Sequence, residues 1–284
     1  KWVEGPGEYE IDGETYLAKS YCFIPASLRD NPYRDTPEYR AQLQNMPGNL
    51  RAQLLYGDFA VGVTDAEGQI IPTAWIKAAQ ARWSPNPPAG VPMCAMGVDC
   101  SGGGDDPMVI APRYDGWYPD PVVVPGKDIP KDRLGTYAAG IVVSHRRNEA
   151  RVIVDMGGGY GSGVYSHLKN NAFDDAESIK RLHGHNGAEA TSKRSRDGKF
   201  KFANKRAWVY WSFREALEPG LGVPVMLPPD PELRADLAAI TWKLGKNGIQ
   251  IEDKKVIAKN LGRSPDKGDC VVNAWPYGEP AVQT

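Results

Sequence analysis

Cysteine is scarce. Cys22, Cys94, Cys100 and Cys270 are the four in 284 residues, too few and too scattered for a disulfide framework. None stands in a Cys-x-x-Cys pair, so they read as reduced thiols of a cytosolic protein, not as a zinc site. Long hydrophobic runs are missing too. The apolar stretches fall far short of the roughly 20 residues that span a bilayer, and no secretory leader opens the chain. Neither sign of charge prevails: the formal net charge is −1, so bulk charge marks no polyanion-binding protein and only its local distribution can. No Gly-x-x-x-x-Gly-Lys-Ser/Thr phosphate loop occurs, which excludes an ATPase of that type from this chain. His183 and His185 form a His-x-His pair without companion ligands, a poor basis for a metal site. The chain opens on Lys1, not on an initiator methionine, so a piece of a longer protein is expected.

What is present is one design used twice. From Met93 to Asp106 an apolar run leads into a single acid, Asp99, and then into glycines. A short run that is apolar on both faces reads as a central buried strand. A carboxylate at its end stands at the rim of the core, where losing water is costly unless a cation compensates. The glycines leave room for a backbone, ion or ligand to come close. From Arg151 to Gly163 the pattern returns, with β-branched residues running into Asp155 and glycines behind it. Either acid alone could be a solvated strand end. If the two strands are neighbours in one sheet, the acids converge. The glycines of 157–163 do not fit a dinucleotide fingerprint, because the spacing differs and the acid precedes them.

Around these strands the elements follow from punctuation. Thr36-Pro37 opens a helix, with Thr36 as cap. Residues 20–25 read as a strand and 49–56 as a short helix. The proline-rich stretch 82–92 reads as linker chemistry, which sets a boundary between 1–85 and 86–284. Residues 108–114 and 120–124 complete an antiparallel meander with the Asp99 strand. A helix over 131–147 precedes the Asp155 strand and another over 161–170 follows it, an α/β alternation. Asn204 and Asp230 cap two further helices, and residues 241–251 form a small hairpin around Lys246-Asn247-Gly248. Near the end, Ser264-Pro265 has the form of a helix cap and first turn. Asp266 and Asp269 then share one face of that turn, where the helix dipole favours ionised carboxylates. Asp269 lies on the stripe of Val272, which points it at the sheet. Residues 179–205 are locally basic, and Asp197-Gly198 is a hairpin-type turn between Arg196 and Lys199. Lys193, Arg194, Arg196, Lys199, Lys201 and Lys205, with Arg206 just beyond, suit phosphate contact or an ordinary solvated loop equally well.

Three acids from two strands and a late helix, with no catalytic histidine or cysteine beside them, point to oxygen-ligated divalent cations, Mg²⁺ or Mn²⁺. Two such ions about 3.5–4 Å apart can clamp the attacking and leaving oxygens of a phosphodiester. The order of elements is similar to that of the ribonuclease H-like nuclease fold, a mixed α/β sheet of antiparallel meander and parallel strands flanked by helices. Gly97-Val98-Asp99 with Gly104-Asp105-Asp106, Asn204-Lys205-Arg206-Ala207 before an aromatic helix, and Asp266 to Ala274 resemble the nuclease domain of phage large terminase subunits. Tyr21 to Tyr33 resembles the end of the motor domain in the same proteins, and Gln42 to Phe59 the link between the two.

The resemblance implies metal-ligand and catalytic roles for Asp99, Asp155 and Asp269, with Asp105 and Asp266 as supporting ligands. Turn chemistry alone also explains Asp105 and Asp106. It further implies two divalent cations, double-stranded DNA as substrate, and the phage portal and small terminase subunit as partners, in the host cytoplasm and at no membrane. The family often carries a basic residue just after the first acid; Cys-Ser-Gly-Gly stands there in this chain. The rivals are a junction resolvase or transposase of the same fold, and a DNA-gripping module without catalysis.

Overall fold

The computed structural model describes residues 7–11, 14–18, 28, 31–33, 35–44, 65–66, 68–104, 106–220 and 224–278. The chain packs as two units, Lys1–Thr64 and Asp65–Thr284. In the first, β1 (Gly7–Ile11) and β2 (Glu14–Ala18) pair antiparallel. Helix α1 (Pro37–Gln44) starts where expected, the Thr36 hydroxyl accepting from the Tyr39 amide at 3.2 Å. The strand expected at 20–25, the helix at 49–56, and most of the 21–33 and 42–59 stretches lie outside the described residues.

The second unit begins before residue 86. Helix α2 (Thr73–Ala81) buries Ile76 and Ala79 in its core. The prolines of 82–92 do not make a free linker, because Trp83 within the stretch and Trp117 beyond it bind it down. Trp83 stacks on Trp117, and the Trp117 indole donates to the Ser84 carbonyl at 2.9 Å.

Five strands form the central sheet, in the order β5-β4-β3-β6-β7. They are β3 (Ala95–Asp99), β4 (Met108–Arg113), β5 (Val122–Val124), β6 (Arg151–Asp155) and β7 (Leu182–His185). β3, β4 and β5 are the antiparallel meander read from the sequence. β6 and β7 run parallel to β3. The crossover helix α3 (Leu134–His145) lies between β3 and β6 in the manner of a βαβ unit.

Side chains alternate across a strand, and here the alternation divides two cores. Met96, Val98, Val152 and Val154 face α3 and α4 (Tyr160–His167), which ends in a short π turn at Leu168–Ala172. Ala95 and Ile153 face the other way, toward α6 (Lys205–Leu217), α7 (Pro231–Ala238) and α9 (Asp266–Tyr277). Asp99 and Asp155 have the parity of Ala95 and Ile153, so both acids belong to the α9 side.

Asn204 caps α6 by accepting from the Ala207 amide at 2.9 Å, and Asp230 caps α7 by accepting from Glu232 at 2.8 Å. The hairpin near 241–251 is β8 (Trp242–Gly245) and β9 (Gly248–Ile251). Helix α8 (Lys254–Leu261) follows it, capped by Asp253. One cap differs from expectation: α9 opens at Asp266 with Pro265 in the cap position, and no side chain caps it there. β7 was not legible in advance; α5 (Ala176–Lys180) leads into it. Among the described residues no helix is long and apolar enough to cross a membrane.

Candidate active site

The backbone brings the first two acids together. Val98 pairs with Val154 in the parallel ladder of β3 and β6, so Asp99 and Asp155, the next residue of each, end neighbouring strands on one face. Helix α9 lies directly over them. Its depth is set at Gly97, where an added β-carbon would stand 2.1 Å from the Cys270 carbonyl oxygen. That close approach needs glycine, and it holds Asp269, the residue before Cys270, above the strand ends.

Asp99, Asp155, Asp266 and Asp269 line a single cleft of about 600 Å³. Asp106 also lines it, whereas Asp105 lies outside the described residues. Its positive charges among the described residues are Lys254, from the start of α8, and Arg206, from the start of α6. Lys254 Nζ is 3.0 Å from Asp269 Oδ2 and 4.0 Å from Asp99 Oδ2. Arg206 Nη2 is 3.7 Å from Asp269 Oδ1, and its Nη1 donates to the Glu252 carbonyl at 3.0 Å. Tyr210 donates its hydroxyl to the same Asp269 Oδ1 at 2.5 Å.

These interactions split the acids electrostatically. Burial lifts the Asp99 carboxyl well above its usual range; Lys254 opposes this while Asp155 and Asp269 add to it. Asp155 is also raised by burial, against the Gly157 amide that donates to it at 2.8 Å. Burial raises Asp266 in the same way. For Asp269 burial works upward, yet Lys254, Arg206 and Tyr210 together hold it below the ordinary value. The Asp269 carboxylate in turn raises Lys254. The cleft therefore contains more anionic capacity than one lysine and one arginine neutralise.

Among the described residues no three acids, histidines or cysteines already stand at ion-ligating distances. The carboxylates surround an ammonium instead. The donor set still suits a hard divalent cation, because carboxylate oxygens from two strands and a helix face a position already held by positive charge. Lys254 is 44% exposed, so its flexible stem has water to withdraw into.

The basic residues of 193–206 do not act as one patch. Arg206 turns into the cleft. Arg196 is committed to Glu218 at 2.7 Å, and Lys205 is paired with Glu189. Lys193 sits 5.5 Å over the Trp208 ring. Arg194 and Lys201 bridge across the turn, where Gly198 takes a φ of +75° and Lys199 lies 3.5 Å from Asp197. The hairpin is real but reduced to a single bridge.

Sequence reading did not place three of the cleft residues, although it noted His185 as half of a His-x-His pair. Lys254 carried no motif, and Tyr210 looked like one more aromatic of α6. His185 pairs with Asp155 in the β6–β7 register and meets the Tyr277 hydroxyl at 2.9 Å. Strand alternation could have found His185 once β7 was recognised.

No known protein family matches the chain, and no curated protein matches it. Solved structures do. A mutant of the large terminase subunit fragment gp2c from bacteriophage Sf6, solved with calcium, is 18% identical with a TM-score of 0.50. It covers 72% of this chain and 96% of its own. The nuclease domain of the large terminase subunit gp2 of bacterial virus Sf6 is 20% identical over the same shares, with a TM-score of 0.49. The large terminase nuclease from thermophilic phage G20c is 13% identical over 66% of this chain and 83% of its own, at a TM-score of 0.36. The mixed sheet with its flanking helices is thus a fold shared with the Sf6 large terminase fragment gp2c, and its antiparallel meander plus parallel strands is the mixed α/β arrangement expected from the order of elements.

Proposed function

We propose that this chain carries the metal-dependent endonuclease of a phage genome-packaging terminase, acting on concatemeric double-stranded DNA. The observation that carries the reading is the convergence of Asp99, Asp155 and Asp269 on one cleft. The Sf6 domain of the same fold was solved with calcium, in keeping with a divalent-cation site here. Asp99, Asp155 and Asp269 would hold Mg²⁺ or Mn²⁺, two ions in the full reading, with Asp266 beside them and Asp105 as a supporting ligand. When bound, the cations would supply Lewis-acid activation of water and stabilisation of the departing 3′ oxygen. The chain's own residues do the rest. Asp269, ionised by its neighbours, anchors from the helix. Asp99 and Asp155, whose carboxyls burial lifts above the ordinary range, would complete the ligand set. Arg206 faces the same cleft and would meet a phosphate oxygen.

DNA approaching this cleft would also meet Lys193, Arg194, Lys199 and Lys201, and less of Arg196 and Lys205, which are already paired. Base contacts are not required, since phosphate contacts position without specifying sequence. The portal and the small terminase subunit are the partners of this reading, and the host cytoplasm its setting. Residues before Asp65, read from sequence as 1–85, belong on this reading to the end of the motor domain and its linker.

The test is Asp99→Ala on supercoiled plasmid with Mg²⁺ or Mn²⁺. Cutting should be lost while the fold is kept; undiminished cutting overturns the assignment. One observation favours a non-catalytic DNA-gripping module instead, namely Lys254 standing between the acids. DNA binding without cleavage under any divalent cation would support it.

A further inference from the structure

We propose that Tyr210 is a positioning residue for the acid cleft: it occupies one oxygen of Asp269 so that the other alone is offered to a cation. The proposal rests on the metal-dependent nuclease reading. Asp269 is 5% exposed, and its two oxygens have separate surroundings. Oδ1 accepts the Tyr210 hydroxyl at 2.5 Å and has Arg206 at 3.7 Å. Oδ2 is 3.0 Å from Lys254 and faces Asp99 across it. Arg206 and Tyr210 are four apart on α6, hence on one helix face. That face is directed at a single carboxylate oxygen.

The rigidity of the arrangement comes from burial. Tyr210 is 1% exposed, so its ring cannot turn without disturbing the core, and a buried tyrosine hydroxyl must keep a partner. Groups that hydrogen-bond a ligating side chain orient it, and losing one typically weakens metal binding about 10- to 100-fold. Here the orientation has a chemical consequence. A carboxylate blocked on one oxygen binds through the other, which suits the octahedral demands of Mg²⁺ and Mn²⁺. Freed on both, it can bind bidentately, which the larger Ca²⁺ accepts readily.

Three forms of the full chain separate the possibilities: the unaltered protein, Tyr210→Phe and Asp269→Asn. Mn²⁺ binding is read directly, by electron paramagnetic resonance of the free ion, and then in competition with Ca²⁺. Thermal melting verifies that each form is folded. Tyr210→Phe is expected to bind Mn²⁺ about tenfold or more weakly, and to lose part of the preference for Mn²⁺ over Ca²⁺. A hydroxyl serving only the packing of the core would not move that preference. Unchanged Mn²⁺ affinity and preference in Tyr210→Phe, with Asp269→Asn impaired, overturn the role of Tyr210 and leave the nuclease reading standing. Absence of Mn²⁺ binding by the unaltered protein overturns both.

Discussion

The Lys254 ammonium stands 3.0 Å from Asp269 Oδ2 and 4.0 Å from Asp99 Oδ2, between a helix acid and a strand-end acid. It balances an anionic cleft from a helix that begins on the far side of the β8–β9 hairpin. The site is therefore partly neutralised by the chain itself, and a cation bound there, as proposed, would compete with this lysine.

Lys254→Ala should expose that competition. Without the ammonium, Asp99 and Asp269 are buried with less compensation, and removing one partner of a desolvated pair costs stability. The variant is expected to melt lower than the unaltered protein in chelator. Added Mg²⁺ or Mn²⁺ should then raise its melting temperature by more than that of the unaltered protein. Equal shifts in the two proteins would separate the lysine from cation binding.

Gly97→Ala tests the seating of α9. The new β-carbon would meet the Cys270 carbonyl, a backbone atom, at 2.1 Å. Overpacking of this kind costs about 1–3 kcal/mol. The urea midpoint should fall accordingly. On the proposed nuclease reading, DNA cutting should fall as well, because Asp269 moves with the helix. An unchanged midpoint would mean that α9 can lift off the sheet freely.

His185 links the site to acid. Burial, with His183 beside it, lowers its pKa from 6.5 to about 4, against a smaller upward pull from Asp269. A histidine depressed in the folded state is held neutral there. Its contribution is present above pH 6.5 and is lost as pH falls through about 4. The span corresponds to about 3 kcal/mol. His185→Gln should show a flatter loss of stability between pH 6.5 and 4, measured by chemical denaturation at each pH. Parallel curves for the two proteins would refute the linkage.

Lys199 and Lys201 are both exposed in the basic turn. Replacing both with alanine should weaken DNA binding across all sequences. The slope of log affinity against log salt should drop by about one unit for each phosphate that is no longer neutralised. An unchanged slope returns the turn to ordinary surface. Arg196→Ala, by contrast, breaks an ion pair with Glu218 and should affect the salt slope least.

The acids were legible because the same pattern, an apolar strand closed by an acid and glycines, is written twice in the chain. Their meeting was an inference about strand neighbours, and the β3–β6 ladder bears out that neighbourhood. The meander and the caps at Asn204 and Asp230 were readable for a similar reason: turn and cap residues act within a few positions of themselves. β7 was not readable. Leu182-His183-Gly184-His185 has no β-branched residue, and pairing with β6 makes the strand. The proline-rich 82–92 misled because its chemistry is that of a linker, while the distant Trp117, stacked on Trp83 and bonded to Ser84, decides its packing. Lys254 was invisible for the same kind of reason: its meaning lies in Asp269, a neighbour that only the folded chain brings beside it.

Because Asp99 and Asp155 end adjacent parallel strands, the spacing of their backbones is dictated by the main-chain ladder, roughly 4.8 Å between strands. Hydrophobic residues on either side of the sheet can therefore drift in identity without altering this built-in ruler. A distantly diverged chain can keep its chemistry in register long after the likeness of its letters has faded.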